Sequence, residues 1–163
     1  MIDDEALAGV AGLADVLRAK GWRLAAAESC TGGLFAAACT SLAGSSDWFE
    51  RGFVTYSNAA KTEQLGVESV LIAAHGAVSS EVARAMVVGA LVHSPADVAV
   101  AVTGIAGPGG AVPGKPVGTV WLALMRRGSA PVLERLQLQG DRTHVRAQTV
   151  AIALQRLQSL CAK

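Results

Sequence analysis

Residues Asp97 to Thr103 read D-V-A-V-A-V-T, with no charge after the first position. A strand that is apolar at every position has no face left for water, so it belongs inside a sheet covered on both sides. A loop rich in Gly and Pro follows, from Gly104 to Pro116. Trp22 to Ala27 reads as an earlier strand, and its apolar run stops at Glu28. Such strands need helices on both faces, and the intervening segments supply them. Asp3 or Asp4 caps a helix to about Lys20, with Leu7, Val10, Leu13 and Leu17 near one face and Gly21 at its end. Leu34 to about Leu42 reads as a second helix, and Gly44 to Asp47 as a turn. Gly52 to Tyr56 reads as a short strand. Asn58 caps a helix that runs through Leu65 and stops at Gly66, and a short helix precedes Gly76. Ser79 or Ser80 caps another through about His93. Val117 to Met125 and Pro131 to Leu138 read as strands joined at Arg127-Gly128-Ser129, and so short a connection predicts an antiparallel pair. Asp141 caps a last helix to about Leu160. Strands alternating with helices, plus one hairpin, predict an α/β sandwich with a mixed sheet.

Composition narrows the function classes. A chain of 163 residues, 52% hydrophobic and 17% charged, fits one globular domain spanning residues 1–163. A net charge of +1 and 4% aromatic residues argue against a duplex footprint or base-stacking platforms, so no nucleic-acid partner is expected. No apolar run is long enough for a membrane span. Residues 1–5 carry three acids and no base, the wrong flank for a secretory leader. The three cysteines are odd in number and form no C-x-x-C, so neither a disulfide framework nor a zinc ribbon is indicated. A reducing cytoplasm fits them best.

The chemistry-bearing segment is Ala25-Ala26-Ala27-Glu28-Ser29-Cys30-Thr31-Gly32-Gly33. It reads as a strand ending in a tight turn that opens a helix. Such a turn aims unpaired N–H groups and the positive end of a helix dipole at one point, beside a hydroxyl and a thiol. A βα turn of small residues with a Ser/Thr cap explains the same letters without chemistry. Lys61 falls at the third helical position if Asn58 is the cap. A cation there opposes the dipole by about 0.3–1 kcal/mol, which a solvated lysine tolerates and a general base exploits. Tyr56, the only tyrosine, lies five residues earlier at a strand end. The loop Thr103-Gly104-Ile105-Ala106-Gly107-Pro108-Gly109-Gly110 is neither a Walker A nor a dinucleotide fingerprint, and a long glycine-rich loop after a buried strand favours a ligand loop over a purely structural one. Arg142 and Arg146 are one helical turn apart, so both can face one anion, or both can be solvated. His75, His93 and His144 show no metal spacing. Cys30 is an alternative nucleophile, but neighbours at a helix start point in different directions, so only one of Ser29 and Cys30 faces the site.

Together these segments resemble the C-terminal-domain family of the competence-damage-inducible protein CinA, most closely its stand-alone nicotinamide-nucleotide amidohydrolases. The residues that carry the likeness are Ala27 to Gly33, Gly44-Ser45-Ser46, Trp48 to Asn58, Lys61, His75 to Ser79, Thr103 to Pro108, Lys115 to Val120 and Gly140-Asp141-Arg142. The resemblance implies a three-layer α/β/α domain with a mixed, mostly parallel five-stranded sheet. It implies a small-molecule substrate, nicotinamide mononucleotide (NMN), whose carboxamide is hydrolysed to nicotinate mononucleotide and ammonia in pyridine nucleotide recycling. It implies Ser29 and Lys61 as a Ser–Lys pair, with Tyr56 assisting, and neither metal nor cofactor. Substrate contacts are then expected from Glu28, Cys30, Thr31, Gly32, Gly33, Thr103, Gly104, Gly107 and Arg142. N–H groups near Thr31-Gly32-Gly33 or in the Gly104 loop would hold the oxyanion, and helix N-termini and Arg142 the phosphate. Lys61 is expected to be buried, within hydrogen-bond reach of Ser29, because a base near neutral pH needs a pKa of roughly 7–8 rather than about 10.4. Longer family members carry a separate N-terminal domain. Homo-oligomerisation is left open. The rival is a non-catalytic nucleotide-binding or interaction module linked to competence or recombination, and such a module needs neither Ser29 nor Lys61.

Overall fold

The structure, a computed structural model, describes residues 2–163. Its centre is a five-stranded sheet ordered β2-β1-β3-β4-β5, formed by β1 (Leu24–Glu28), β2 (Phe49–Val54), β3 (Val98–Gly104), β4 (Thr119–Arg126) and β5 (Val132–Gln137). β1 pairs in parallel with β2 and β3, and the β3–β4 and β4–β5 pairs are antiparallel. Four of the five strands therefore run the same way and β4 alone is reversed. The β4–β5 hairpin is the expected antiparallel pair.

Every residue from Val98 to Thr103 is buried, as the unbroken apolar run requires. The V-A-V-A-V alternation sorts the two faces. Val98, Val100 and Val102, with Leu24, Leu122 and Leu124, meet α1 (Asp4–Lys20), α2 (Leu34–Thr40) and α6 (Arg142–Ala162). Ala99 and Ala101, with Ala25, Ala27 and Ala123, meet α3 (Asn58–Leu65), α4 (Ser69–His75) and α5 (Ser80–Val92). The result is helix, sheet and helix in three layers, and the alanine face lets α5 lie close to the sheet. No helix among the described residues is long and apolar enough to cross a membrane.

Most boundaries shift by one to three residues, β1 among them (Leu24–Glu28 rather than Trp22 to Ala27), and two of the shifts need an account. β2 runs Phe49–Val54 rather than Gly52 to Tyr56. It is an edge strand, so Glu50 can sit in it, paired with Arg23 at 3.0 Å and Arg51 at 2.8 Å. The cap of α3 is Ser57, whose backbone is extended and whose Oγ accepts the Ala60 N–H at 3.0 Å, and Asn58 is already helical. Lys61 is thus the fourth helical residue, not the third.

The register places Glu28 beside both Val54 and Val102, so β1, β2 and β3 end at one edge. From β1 the chain goes to one side for β2 and to the other for β3. Ligands in open α/β sheets bind in the crevice outside such a switch point. β5 points the same way and delivers the start of α6 to that edge.

Candidate active site

Ser29 follows β1 directly and is still held by the sheet, its N–H donating to the Val102 carbonyl at 3.1 Å. The chain then turns through Gly32 and Gly33, at φ +56° and +101°. Two successive left-handed residues are open only to glycine at low cost. The turn lets α2 point its first N–H groups back at β1. There they meet the Glu28 carboxylate, which accepts from Phe35 N at 2.9 Å, Ala36 N at 3.1 Å and Thr31 Oγ1 at 2.6 Å.

That contact corrects part of the sequence reading. The positive end of α2 is occupied by the chain's own carboxylate, and Glu28 is only 1% exposed. Glu28, Thr31, Gly32 and Gly33 build the turn and do not line the cleft beside Ser29. Glu28→Ala leaves a hydroxyl and two helix N–H groups without an acceptor, which costs about 2–3 kcal/mol. Urea unfolding should show the loss as a lower midpoint, and an unchanged midpoint would contradict the capping role.

Lys61 meets the expected placement. It is 1% exposed, and its Nζ lies 3.1 Å from Ser29 Oγ. Side chains on a helix tilt toward its N-terminus, so a lysine one turn into α3 reaches back to the chain just before it. There Nζ donates to the carbonyls of Thr55 at 2.9 Å and Tyr56 at 3.5 Å. Thr55 is itself fixed, its N–H donating to the Glu28 carbonyl at 2.8 Å. Burial disfavours the ammonium form and lowers the Lys61 pKa from the usual lysine value, a shift only opposed by the neighbouring Cys30. A neutral amine has two N–H groups and one lone pair. The two carbonyls match the N–H groups, and the lone pair is left for the Ser29 proton.

Ser29, Cys30, Tyr56, Lys61, Thr103, Gly104 and Arg142 line one cleft of about 210 Å³. Sequence reasoning missed its other walls: Asn58, Ala77, Val78 and Ala106. Ala77 and Val78 carry no chemical signal, and Asn58 had been read only as a cap. Thr103 is a wall support, its hydroxyl donating to the Ala77 carbonyl at 2.8 Å. Gly104 is required by the close approach of β4, since a Cβ there would lie 2.6 Å from Val120. Across the mouth, Arg142 donates to the Tyr56 hydroxyl at 3.0 Å and to the Gly107 carbonyl at 2.9 Å. Tyr56 is 61% exposed, so this pair forms the outer rim.

Arg142 and Arg146 do not share an anion. Arg146 turns to the carbonyls of Cys30 at 3.2 Å and Thr31 at 2.9 Å. Cys30 is buried, and burial pushes its thiol up to about 12. All three cysteines are free. No group of three or more His, Cys, Asp or Glu side chains among the described residues is placed to hold a metal ion.

Known proteins share this arrangement of chain. A Pseudomonas putida protein named nicotinamide-nucleotide amidohydrolase PncC is 56% identical over 148 residues, covering 91% of this chain and 92% of that one. A "CinA-like protein" of Citrifermentans bemidjiense is 58% identical over 146 residues, and here the chain spans only 35% of the relative's length. The crystal structure of the competence/damage inducible protein CihA from Agrobacterium tumefaciens superposes with a TM-score of 0.95 at 42% identity, covering 98% of each chain. The model of the CinA C-terminal domain matches residues 8–161, and the chain belongs to that family.

Proposed function

We propose that this chain is a nicotinamide-nucleotide amidase that hydrolyses the carboxamide of NMN through an acyl-enzyme on Ser29. The observation that carries the reading is the desolvated Lys61 amine 3.1 Å from Ser29 Oγ. The names of relatives matched along most of their length support the substrate. Lys61 takes the Ser29 proton as Oγ bonds to the amide carbon, and the carbonyl becomes an oxyanion. Collapse breaks the C–N bond, and the Lys61 ammonium returns the proton to the departing nitrogen, giving ammonia. Water, deprotonated by Lys61, adds to the ester carbon; the C–Oγ bond then breaks, the Lys61 ammonium returns the proton to Ser29 Oγ, and nicotinate mononucleotide leaves. Tyr56 and Arg142 close the rim, and Arg142 faces the nucleotide phosphate. The domain spans residues 1–163 and works in the cytoplasm in the recycling of pyridine nucleotides.

Ammonia release by the purified chain tests this. NMN should be hydrolysed about 10- to 150-fold more efficiently than nicotinamide, the equivalent of about 1.5–3 kcal/mol for a hydrogen bond to a charged group. Arg142→Ala should narrow that gap. No ammonia from NMN would overturn the substrate, and equal rates on both compounds would remove the phosphate contact.

A further inference from the structure

We infer that Asn58 is a specificity-determining residue that binds the two neighbouring ring hydroxyls of the substrate's ribose. The inference rests on the cleft being the nicotinamide-nucleotide site, with the carboxamide at Ser29. Most polar side chains that line the cleft are already engaged within the protein. Ser29 and Lys61 are paired, and the Lys61 amine also holds the Thr55 carbonyl. Thr103 donates to the Ala77 carbonyl, and Arg142 donates to the Tyr56 hydroxyl. The Cys30 thiol stays protonated in its buried place and is a weak donor. Asn58 lines the same cleft, and its carboxamide makes no hydrogen bond among the described residues. Only its backbone carbonyl is engaged, accepting from Thr62 Oγ1 at 3.4 Å. Ser57 caps α3, so the helix does not use the Asn58 side chain either.

Burial orders this wall of the cleft from floor to mouth. Lys61 is buried and meets Ser29 at the floor. Asn58 is three residues earlier in α3, which puts it on the same helix face one turn nearer the start. That direction leads to the exposed Tyr56 at the rim, and Asn58 is itself exposed. A substrate whose amide carbon sits at Ser29 therefore presents to Asn58 the part farther from its carboxamide. In NMN that part is the ribose and the phosphate. The phosphate only accepts hydrogen bonds and suits the Arg142 guanidinium at the same rim. A side-chain carboxamide carries an acceptor oxygen and a donor NH2 in one plane. That combination matches two adjacent hydroxyls, one donating to the oxygen and the other accepting from the nitrogen. Asn58 and Arg142 thus divide the mouth of the cleft between sugar and phosphate.

Calorimetric binding to the full-length Ser29→Ala chain, with and without Asn58→Ala, reads sugar recognition apart from turnover. The ligands are NMN, its dideoxy analogue, which lacks both ribose ring hydroxyls, and nicotinamide riboside, which lacks the phosphate. The Ser29→Ala chain should bind NMN about 5- to 100-fold more tightly than the dideoxy analogue, the worth of two neutral hydrogen bonds. Adding Asn58→Ala should remove that preference by weakening NMN and leaving the dideoxy analogue unchanged. Nicotinamide riboside should lose the same factor as NMN, because it carries the same hydroxyls. Asn58→Leu, close in shape and apolar, should repeat the result, and thermal unfolding identifies the folded variants on which affinities are judged. A hydroxyl preference that survives in a folded Asn58 variant overturns the inference. So does an equal loss on NMN and the dideoxy analogue, a loss on NMN that spares nicotinamide riboside, or a Ser29→Ala chain that shows no preference or no binding. Ammonia release from NMN by the unaltered chain is measured alongside. Release of ammonia without any hydroxyl preference overturns the role of Asn58 alone. Binding that depends on the ribose hydroxyls, with no ammonia released, overturns the amidase reading alone.

Discussion

Ser29→Ala should reduce NMN turnover by about 10⁴-fold or more, the scale seen when a hydrolase loses its nucleophile. The fold should survive, because the substitution removes one oxygen at a cleft wall and leaves the Ser29 N–H bonded to the Val102 carbonyl. Cys30→Ala should keep turnover within a few-fold. Burial pushes the Cys30 thiol up to about 12, so near neutral pH on the order of one thiol in 10⁵ is ionised. The amine that could activate a nucleophile is 3.1 Å from Ser29 Oγ. Steady-state ammonia release, with mass spectrometry for a covalent adduct, separates the two residues. Loss of activity in Cys30→Ala with retention in Ser29→Ala would assign the nucleophile to the thiol.

The layered fold was legible because its signals are local and agree with one another. Val98 to Val102 has no polar position to expose, and the hairpin turn at Arg127-Gly128-Ser129 leaves no room for a crossover. Gly21 and Gly66 stop α1 and α3 where left-handed residues are needed. The start of α3 was read one residue late: Asn58 was taken as the cap, but Ser57 is also a good cap residue, and its extended backbone gives it that place. That single step moves Lys61 from the third helical position to the fourth. β2 was misplaced because a charged edge strand has no hydrophobic alternation to read.

The contact between Ser29 and Lys61 was legible in the sequence, and the supports of the cleft were not. Ser29 and Lys61 stand out as a hydroxyl beside glycines and a cation in a first helical turn. Glu28 invites a ligand-binding role by its position next to Ser29. Its actual partners, Phe35 and Ala36, lie seven and eight residues on, across two left-handed glycines, and no periodicity encodes that contact. Arg142 and Arg146 look equivalent on a helical wheel. They differ only because α6 crosses the mouth of the cleft at Arg142 and the turn after β1 at Arg146. Pairings separated by 35 to 116 residues are set by the packing of the layers, which local spacing does not carry.

Lys61→Arg should lower kcat by orders of magnitude, although it keeps a positive charge, because guanidinium does not give up its proton at working pH. Lys61→Met should be as inactive, and its stability carries a second signature. Burial sets the pKa of Lys61 below that of the unfolded chain, which lies near 10.4. Between those two values the unfolded chain binds more protons, so this residue makes stability rise with pH. Below the lowered pKa both states are protonated, and the full cost of burying the ammonium is present. Above about 10.4 both are neutral and that cost is gone. The unfolding free energy of Lys61→Met relative to the unaltered chain should therefore fall as pH rises through the window. The pH-independent loss of the bonds to the Thr55 and Tyr56 carbonyls leaves that slope unchanged. In the unaltered chain kcat/KM should rise with pH through the same lowered pKa, because the neutral amine is the base. Urea titrations at several pH values and a pH–rate profile measure both. Near-normal turnover in Lys61→Arg, with a pH-independent stability difference in Lys61→Met, would make Lys61 an electrostatic anchor and leave the base to another group.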